Sequence, residues 1–172
     1  GWDVLDKEVL GFMTDRYGMP RDMLDIVDEN KANWFHDVLG SFIDSRIVSR
    51  DSYVIHLERI IYLAALHGKV VLIGRGAQCV LPRDCGLVVR FVAPKKQRIE
   101  ELMRRLSITE SQAVGKLDRT DASRNDFCRR HFQRDITDPL ESDLVLNTSR
   151  MTAEVAAEAI IDICRRKGLV SQ

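Results

Sequence analysis

The chain has 172 residues, 45% of them hydrophobic and 30% charged, with a formal net charge of zero. That size and balance fit one globular domain with a sizeable core, and no apolar run reaches the ~18 residues that a membrane-crossing helix requires. Cys79, Cys85, Cys128 and Cys164 make no C-x-x-C pair, and His36, His56, His67 and His131 are scattered, so no zinc site or other metal centre is expected. Sparse cysteines in a well-cored domain point to reduced thiols and a cytoplasmic protein. Gly1-Trp2-Asp3 does not open a signal peptide. The lack of an initiator Met leads us to expect a piece of a longer protein.

Charge is unevenly spread. Residues 1–65 hold 7 Lys/Arg against 12 Asp/Glu, a net of −5, whereas residues 90–134 hold 12 against 6, a net of +6. The basic stretch invites an anion, or forms solvated helix faces.

In chain order, Trp2 to Leu5 is a short extended run. Asp6 caps a helix through about Tyr17, closed by Gly18, and Pro20 opens another from about Arg21. Trp34, Phe35, Val38, Leu39, Phe42 and Ile43 recur at helical spacing. A further helix starts at Asp51 or Ser52, with Val54, Leu57, Ile60, Ile61, Ala64 and Ala65 inward, and stops at Gly68. The block 20–68 is a candidate helical lid. The period then changes. Val70 to Ile73 is β-branched and apolar, a buried parallel strand, and Leu87 to Val92 is a second strand. Pro94 opens a helix to about Leu106, and a long polar helix runs from Thr109 to about Phe132. Leu144-Val145-Leu146 is a third strand, and Thr152 caps a last helix ending at Gly168. Strands alternating with helices read as α/β, a parallel sheet covered by helices.

Three places carry candidate chemistry. Gly74-Arg75-Gly76 follows a strand, where α/β folds bind ligands. Its glycines permit a tight turn, and Arg75 can fork onto a phosphate or carboxylate. The alternative is a plain turn with a surface Arg. Lys116, Asp118, Arg119, Asp121, Arg124, Arg129, Arg130 and Arg134 form the second cluster. Arginines alternating with aspartates can clamp phosphoryl oxygens or form a salt-bridged solvent helix. The apolar residues of this stretch (Ala113, Val114, Leu117, Phe127, Phe132) are too spread to make a strong buried stripe, as suits a mobile lid. Third, Asn147-Thr148-Ser149 either faces a nucleotide or terminates the strand. The phosphate-loop pattern G-x-x-x-x-G-K-[ST] occurs nowhere in the sequence, and the dinucleotide pattern fails because Cys79 stands where a third Gly is needed.

Together these pieces resemble the cytidylate-kinase-like family of P-loop nucleoside monophosphate kinases. VVLIGRGAQCVL (70–81) looks like the family's strand and turn, and VVRFVAP (88–94) like its next strand, followed by a helix with Arg98 and Arg104-Arg105. The segment 116–130 resembles the lid, with D-x-x-R at Asp121 and Arg124. SDLVLNTSRMTAEVA (142–156) resembles the last strand and helix, and WDVLDKEVL (2–10) an early strand and the next helix. The resemblance implies one domain over 1–172 with a lid at 109–134, in a three-layer P-loop kinase fold with a parallel sheet. The family's first strand and phosphate loop would precede Gly1, so the 172 residues alone are expected to be inactive. For the intact protein it implies phosphoryl transfer from ATP, with Mg²⁺, to CMP, dCMP or a related acceptor.

The resemblance places Arg75, Asp121 and Arg124 on the acceptor, with Asp6 beside them. Arg119, Arg124 and Arg130 would act on the transferring phosphates, and Thr148 and Ser149 would meet a nucleotide. Arg75 is expected to point into the cleft at the strand ends, near Arg124. Two departures weaken cytosine specificity. Ile73 and Gly76 stand where cytidylate kinases carry acids, and the residues that hold the acceptor phosphate fall on Lys7 and Phe12. The rival readings are a non-catalytic module that binds nucleotide or a partner protein, and a nucleic-acid binder using residues 90–134. The second has thin stacking support in Phe91, Phe127 and Phe132, so the expected partner is a nucleoside monophosphate, with neither nucleic acid nor membrane.

Overall fold

The structure, a computed structural model, describes residues 1–6 and 50–170. The helices expected from Asp6 to Tyr17 and from Arg21, the apolar face at 34–43, and the acceptor positions Lys7 and Phe12 lie outside the described residues, as does most of the block 20–68. The protein is α/β, with short parallel strands and helices, and it divides into two compact units, Gly1–Leu81 and Pro82–Gln172.

In the first unit, β1 (Asp3–Leu5) pairs in parallel with β2 (Val70–Leu72), Val4 opposite Val71 and Leu5 opposite Leu72. Two flanking bonds lengthen the ladder: the Asp3 amide donates to Lys69 O at 2.9 Å and the Ile73 amide to Leu5 O at 2.8 Å. Between the strands in sequence lies α1 (Arg50–His67). Leu57, Ile60, Ile61 and Ala64 recur at helical spacing and are buried, each large one contributing on the order of 1.5–3 kcal/mol. Gly68 ends α1 at φ +76°, a left-handed position that its missing Cβ makes inexpensive. Leu5 and Ala77 are also buried.

The strand expected to be buried is only half so. Strand alternation puts Trp2 and Val4 on one sheet face with Val71 and Ile73, and all four remain exposed, Ile73 at 50%.

In the second unit, β3 (Val89–Val92) pairs in parallel with β4 (Leu144–Asn147), Val89 opposite Leu144 and Val92 opposite Asn147. Pro94 precedes α3 (Lys95–Leu106), where its missing amide costs nothing. Ser107, at φ +51°, turns the chain into α4 (Glu110–Phe132). Thr109 and Gln112 close a reciprocal capping box at the start of α4. A one-turn 3₁₀ helix at Pro139–Glu141 leads to β4, and Thr152 caps α5 (Ala153–Arg166) by accepting from the Val155 amide. The expected order of elements from Val70 onward is therefore observed, with two short helices added, α2 (Ala77–Val80) and the 3₁₀ turn at Pro139–Glu141.

Helix α4 is where the patterning departs most from expectation. Ala113, Leu117 and Cys128 are buried at 0%, 6% and 3%. They make a stripe that the sequence reading missed, because Cys128 was not counted as apolar. The helical positions that would continue the stripe between Leu117 and Cys128 are Asp121 and Arg124. A charged pair thus interrupts a core-facing stripe at its middle.

Candidate functional site

In the first unit, β2 ends into Gly74-Arg75-Gly76, and all three residues have positive φ: 83°, 54° and 72°. Glycine adopts this region freely, but an Arg does so at a cost of roughly 1–2 kcal/mol. Three left-handed residues in a row reverse the chain directly beyond the strand's carboxyl end and start α2 at Ala77. Arg75 is half-buried, and its Nε is buried without a hydrogen-bond partner among the described residues. An orphaned guanidinium N–H is costly unless an acceptor meets it. Asp6 follows β1 directly and is half-buried. Both residues stand at strand carboxyl ends.

In the second unit, the Asp/Arg cluster resolves into two kinds of group. Four of its members are held by partners within the fold. Asp118 pairs with Lys95 at 2.7 Å. Asp121 receives both arms of the Arg98 guanidinium, at 2.8 and 2.7 Å. Arg129 pairs with Asp135, and Arg134 pairs with Glu141 at 2.8 Å, where Arg83 arrives at the same distance. For these four the salt-bridged reading describes the geometry. Arg119, Arg124 and Arg130 are exposed and make no ion pair among the described residues.

These three arginines do not form one clamp. Arg119 and Arg130 are eleven positions apart, which at ~100° per residue brings them to one face about 16 Å apart along the axis. Arg124 lies ~140° around from Arg119, beside Asp121 and the buried stripe. Arg119 also lies back along its own helix, with Nη2 3.9 Å from where a Cβ on Gly115 would stand.

Electrostatics follow the pairing. The Arg98 hydrogen bonds hold the Asp121 carboxyl below the usual aspartate range against its partial burial, with Arg124 and Lys95 adding attraction. The Asp121 carboxylate in turn raises Arg98 above its ordinary value. Asp135 falls to about 2, mainly through the Thr137 hydroxyl and then through Arg129.

Thr148 and Ser149 close the end of β4. The Thr148 hydroxyl donates to Val92 O at 3.3 Å, and the Ser149 hydroxyl and amide donate to Asn147 Oδ1 at 2.7 and 3.0 Å. Their donors serve the turn, leaving only oxygen lone pairs for a ligand. None of the four cysteines is in a disulfide, and no group of residues that could hold a metal occurs among the described residues. No described helix is long and apolar enough to cross a membrane. Arg98 is the site residue whose role the sequence reading missed. Its signal was the interrupted stripe, since a carboxylate at a core-facing position needs a cation from the neighbouring helix.

Three comparisons bear on this arrangement. A family model described as "Cytidylate kinase-like family" matches residues 1–150. A protein named uronate isomerase from Corynebacterium glutamicum is 26% identical over 158 residues, covering 88% of this chain and 30% of that protein. The chain thus spans less than a third of that relative's length. The crystal structure of an uncharacterized protein from Eubacterium ventriosum superposes with a TM-score of 0.70 at 17% identity, covering 96% of this chain and 84% of that one. That likeness speaks to the fold alone.

Proposed function

The chain belongs to the cytidylate kinase-like family, and on that premise we propose that the full-length protein transfers a phosphoryl group from ATP to CMP, dCMP or a related nucleoside monophosphate. The family supports a kinase-like, nucleotide-related function. The observation that carries the finer reading is the turn at Gly74-Arg75-Gly76, which presents an unpartnered guanidinium N–H at a strand's carboxyl end. An acceptor phosphate or a base oxygen would satisfy it.

In this reading the fold is of the P-loop kinase type, with a phosphate loop supplied from outside the 172 residues and residues 109–134 acting as its lid. Arg75 and Asp6 serve the acceptor, and Asp121 and Arg124 are nucleotide contacts. Arg119, Arg124 and Arg130 offset charge on the transferring phosphates, the first and last from one face of α4 and Arg124 from another. The Thr148 and Ser149 oxygens border a nucleotide. ATP with Mg²⁺ supplies the phosphoryl group and the charge neutralisation such transfers need, and most of the remaining work is positioning. A cytoplasmic location belongs to the same proposal. No isomerase activity is proposed, because the match spans under a third of the relative so named.

One observation favours a rival, a nucleotide-binding module without catalysis: Ile73 and Gly76 stand where cytidylate kinases carry acids. A coupled assay of the full-length protein with ATP and a panel of nucleoside monophosphates separates the two. Turnover on the order of 1–100 s⁻¹ with at least one acceptor is expected, and no turnover from the 172 residues alone. Binding of nucleotide without turnover by the full-length protein would favour the rival.

A further inference from the structure

We propose that Arg98 is a positioning residue for the nucleotide site: its fork fixes the carboxylate of Asp121 and thereby sets the orientation of the Asp121–Arg124 pair. This rests on the reading of Asp121 and Arg124 as nucleotide contacts. The stripe Ala113, Leu117, Cys128 calls for an apolar residue where Asp121 stands. A carboxylate there is a poor choice for packing, and a half-exposed ion pair adds little stability. Local rules broken without a stability gain mark function.

The geometry is that of a holder. Both Nη atoms of Arg98 reach both Oδ atoms of Asp121, so the plane of the carboxylate is fixed as well as its position. One lone pair on each oxygen is left for a ligand. Arg98 itself is anchored close to β3. It lies in the first turn of α3, its amide donating to Pro94 O at 3.2 Å, two residues beyond the strand's end at Val92. The path runs from β3 through Pro94 and Arg98 to Asp121 within one unit. Lys95 on α3 and Arg124 on α4 also face Asp121, while Asp118 faces Arg98.

The test uses full-length protein, with CMP as probe, in four forms: wild type, Arg98→Gln, Arg98→Lys and Asp121→Asn. Carboxyl-carbon NMR reads the Asp121 titration, and calorimetry reads CMP affinity from pH 4 to 8. Arg98→Gln is expected to raise the Asp121 midpoint toward the ordinary aspartate range, move the acid loss of CMP binding to higher pH, and weaken CMP about tenfold at neutral pH. Arg98→Lys keeps the charge but loses the fork, so a loss of about threefold is expected; it also provides the measurement if the Gln variant fails to fold. An unchanged Asp121 titration in Arg98→Gln overturns the proposal whatever nucleotide does. Unchanged CMP affinity in both Arg98 variants, where Asp121→Asn binds weakly, overturns it while leaving the proposed function standing. Equal CMP binding by wild type and Asp121→Asn removes Asp121 from the site, and the positioning role falls with it.

Discussion

At the Gly74-Arg75-Gly76 turn one guanidinium is held by backbone geometry, its Nε buried and unpartnered among the described residues. Along α4, by contrast, Lys95, Arg98, Asp135 and Glu141 give partners to Asp118, Asp121, Arg129 and Arg134. The turn carries an unmet demand for an anion. The helix has met most of its demand internally, through exposed pairs worth ~0–1 kcal/mol each. Under the proposed function, the difference separates a turn that offers a preset donor to a ligand from a surface that can rearrange at little cost. It also ranks the arginines: Arg75 first, Arg124 beside Asp121 next, and Arg119 with Arg130 last.

The largest effect is expected at the turn. Arg75→Gln should lower kcat/KM for CMP phosphorylation by about 10²–10³, the scale of losing one preorganised charge-stabilising donor. Melting should change little, because no described residue takes a hydrogen bond from that Nε. A lower melting temperature with normal kinetics would make Arg75 a structural residue. The turn's backbone comes next. Gly76→Ala, at φ +72° in a buried position, should cost roughly 1–2 kcal/mol of stability, read as a lower urea midpoint at unchanged m-value.

On α4 the effects should be smaller and of another kind. Arg124→Ala should weaken nucleotide binding about tenfold, a little over 1 kcal/mol, with the melting temperature almost unchanged. Arg119→Ala and Arg130→Ala should raise KM for ATP by less, and chiefly at low salt, where exposed charges act furthest. If all three arginine variants were equal, the separation of faces would carry no functional meaning.

The smallest effect concerns acid stability. The carboxyl of Asp135 titrates near 2 in the fold against about 4 when unfolded. Its folded value is the lower one, so its contribution is present above pH ~4 and lost as pH falls toward ~2. Asp135→Asn should flatten the acid limb of a melting-temperature profile between those values, and an unchanged limb would discard the Thr137 and Arg129 contacts as its cause.

Much of this was legible in the sequence. Hydrophobic period gave α1 and the strands, Pro94 and Thr109 marked helix starts, and Gly68 and Gly168 marked helix ends, because each signal is local. What escaped was tertiary. The stripe on α4 depends on Cys128 behaving as a small hydrophobe, and the fork from Arg98 joins residues 23 positions apart. That Ser149 would spend its donors on Asn147, and Thr148 its hydroxyl on Val92, could be posed as an alternative from residue types alone but not decided, since rotamers choose between turn and ligand. The exposed face of Trp2, Val4, Val71 and Ile73 was also hidden, because apolar strands read as buried whether or not both faces are covered.

The proposed function makes α4 a lid, packed through Ala113, Leu117 and Cys128, latched by ion pairs and closed by nucleotide. Amide hydrogen exchange over residues 109–134, compared with β3 and β4 in full-length protein, tests it most directly. Without ligand, α4 amides should exchange well before those of β3 and β4, as expected of an element drawn from the low-stability part of a fold. With ATP and CMP together they should slow toward the strands. Protection of α4 equal to that of β3 and β4 without ligand, unchanged when nucleotide is added, would contradict the account and leave α4 a structural salt-bridged helix.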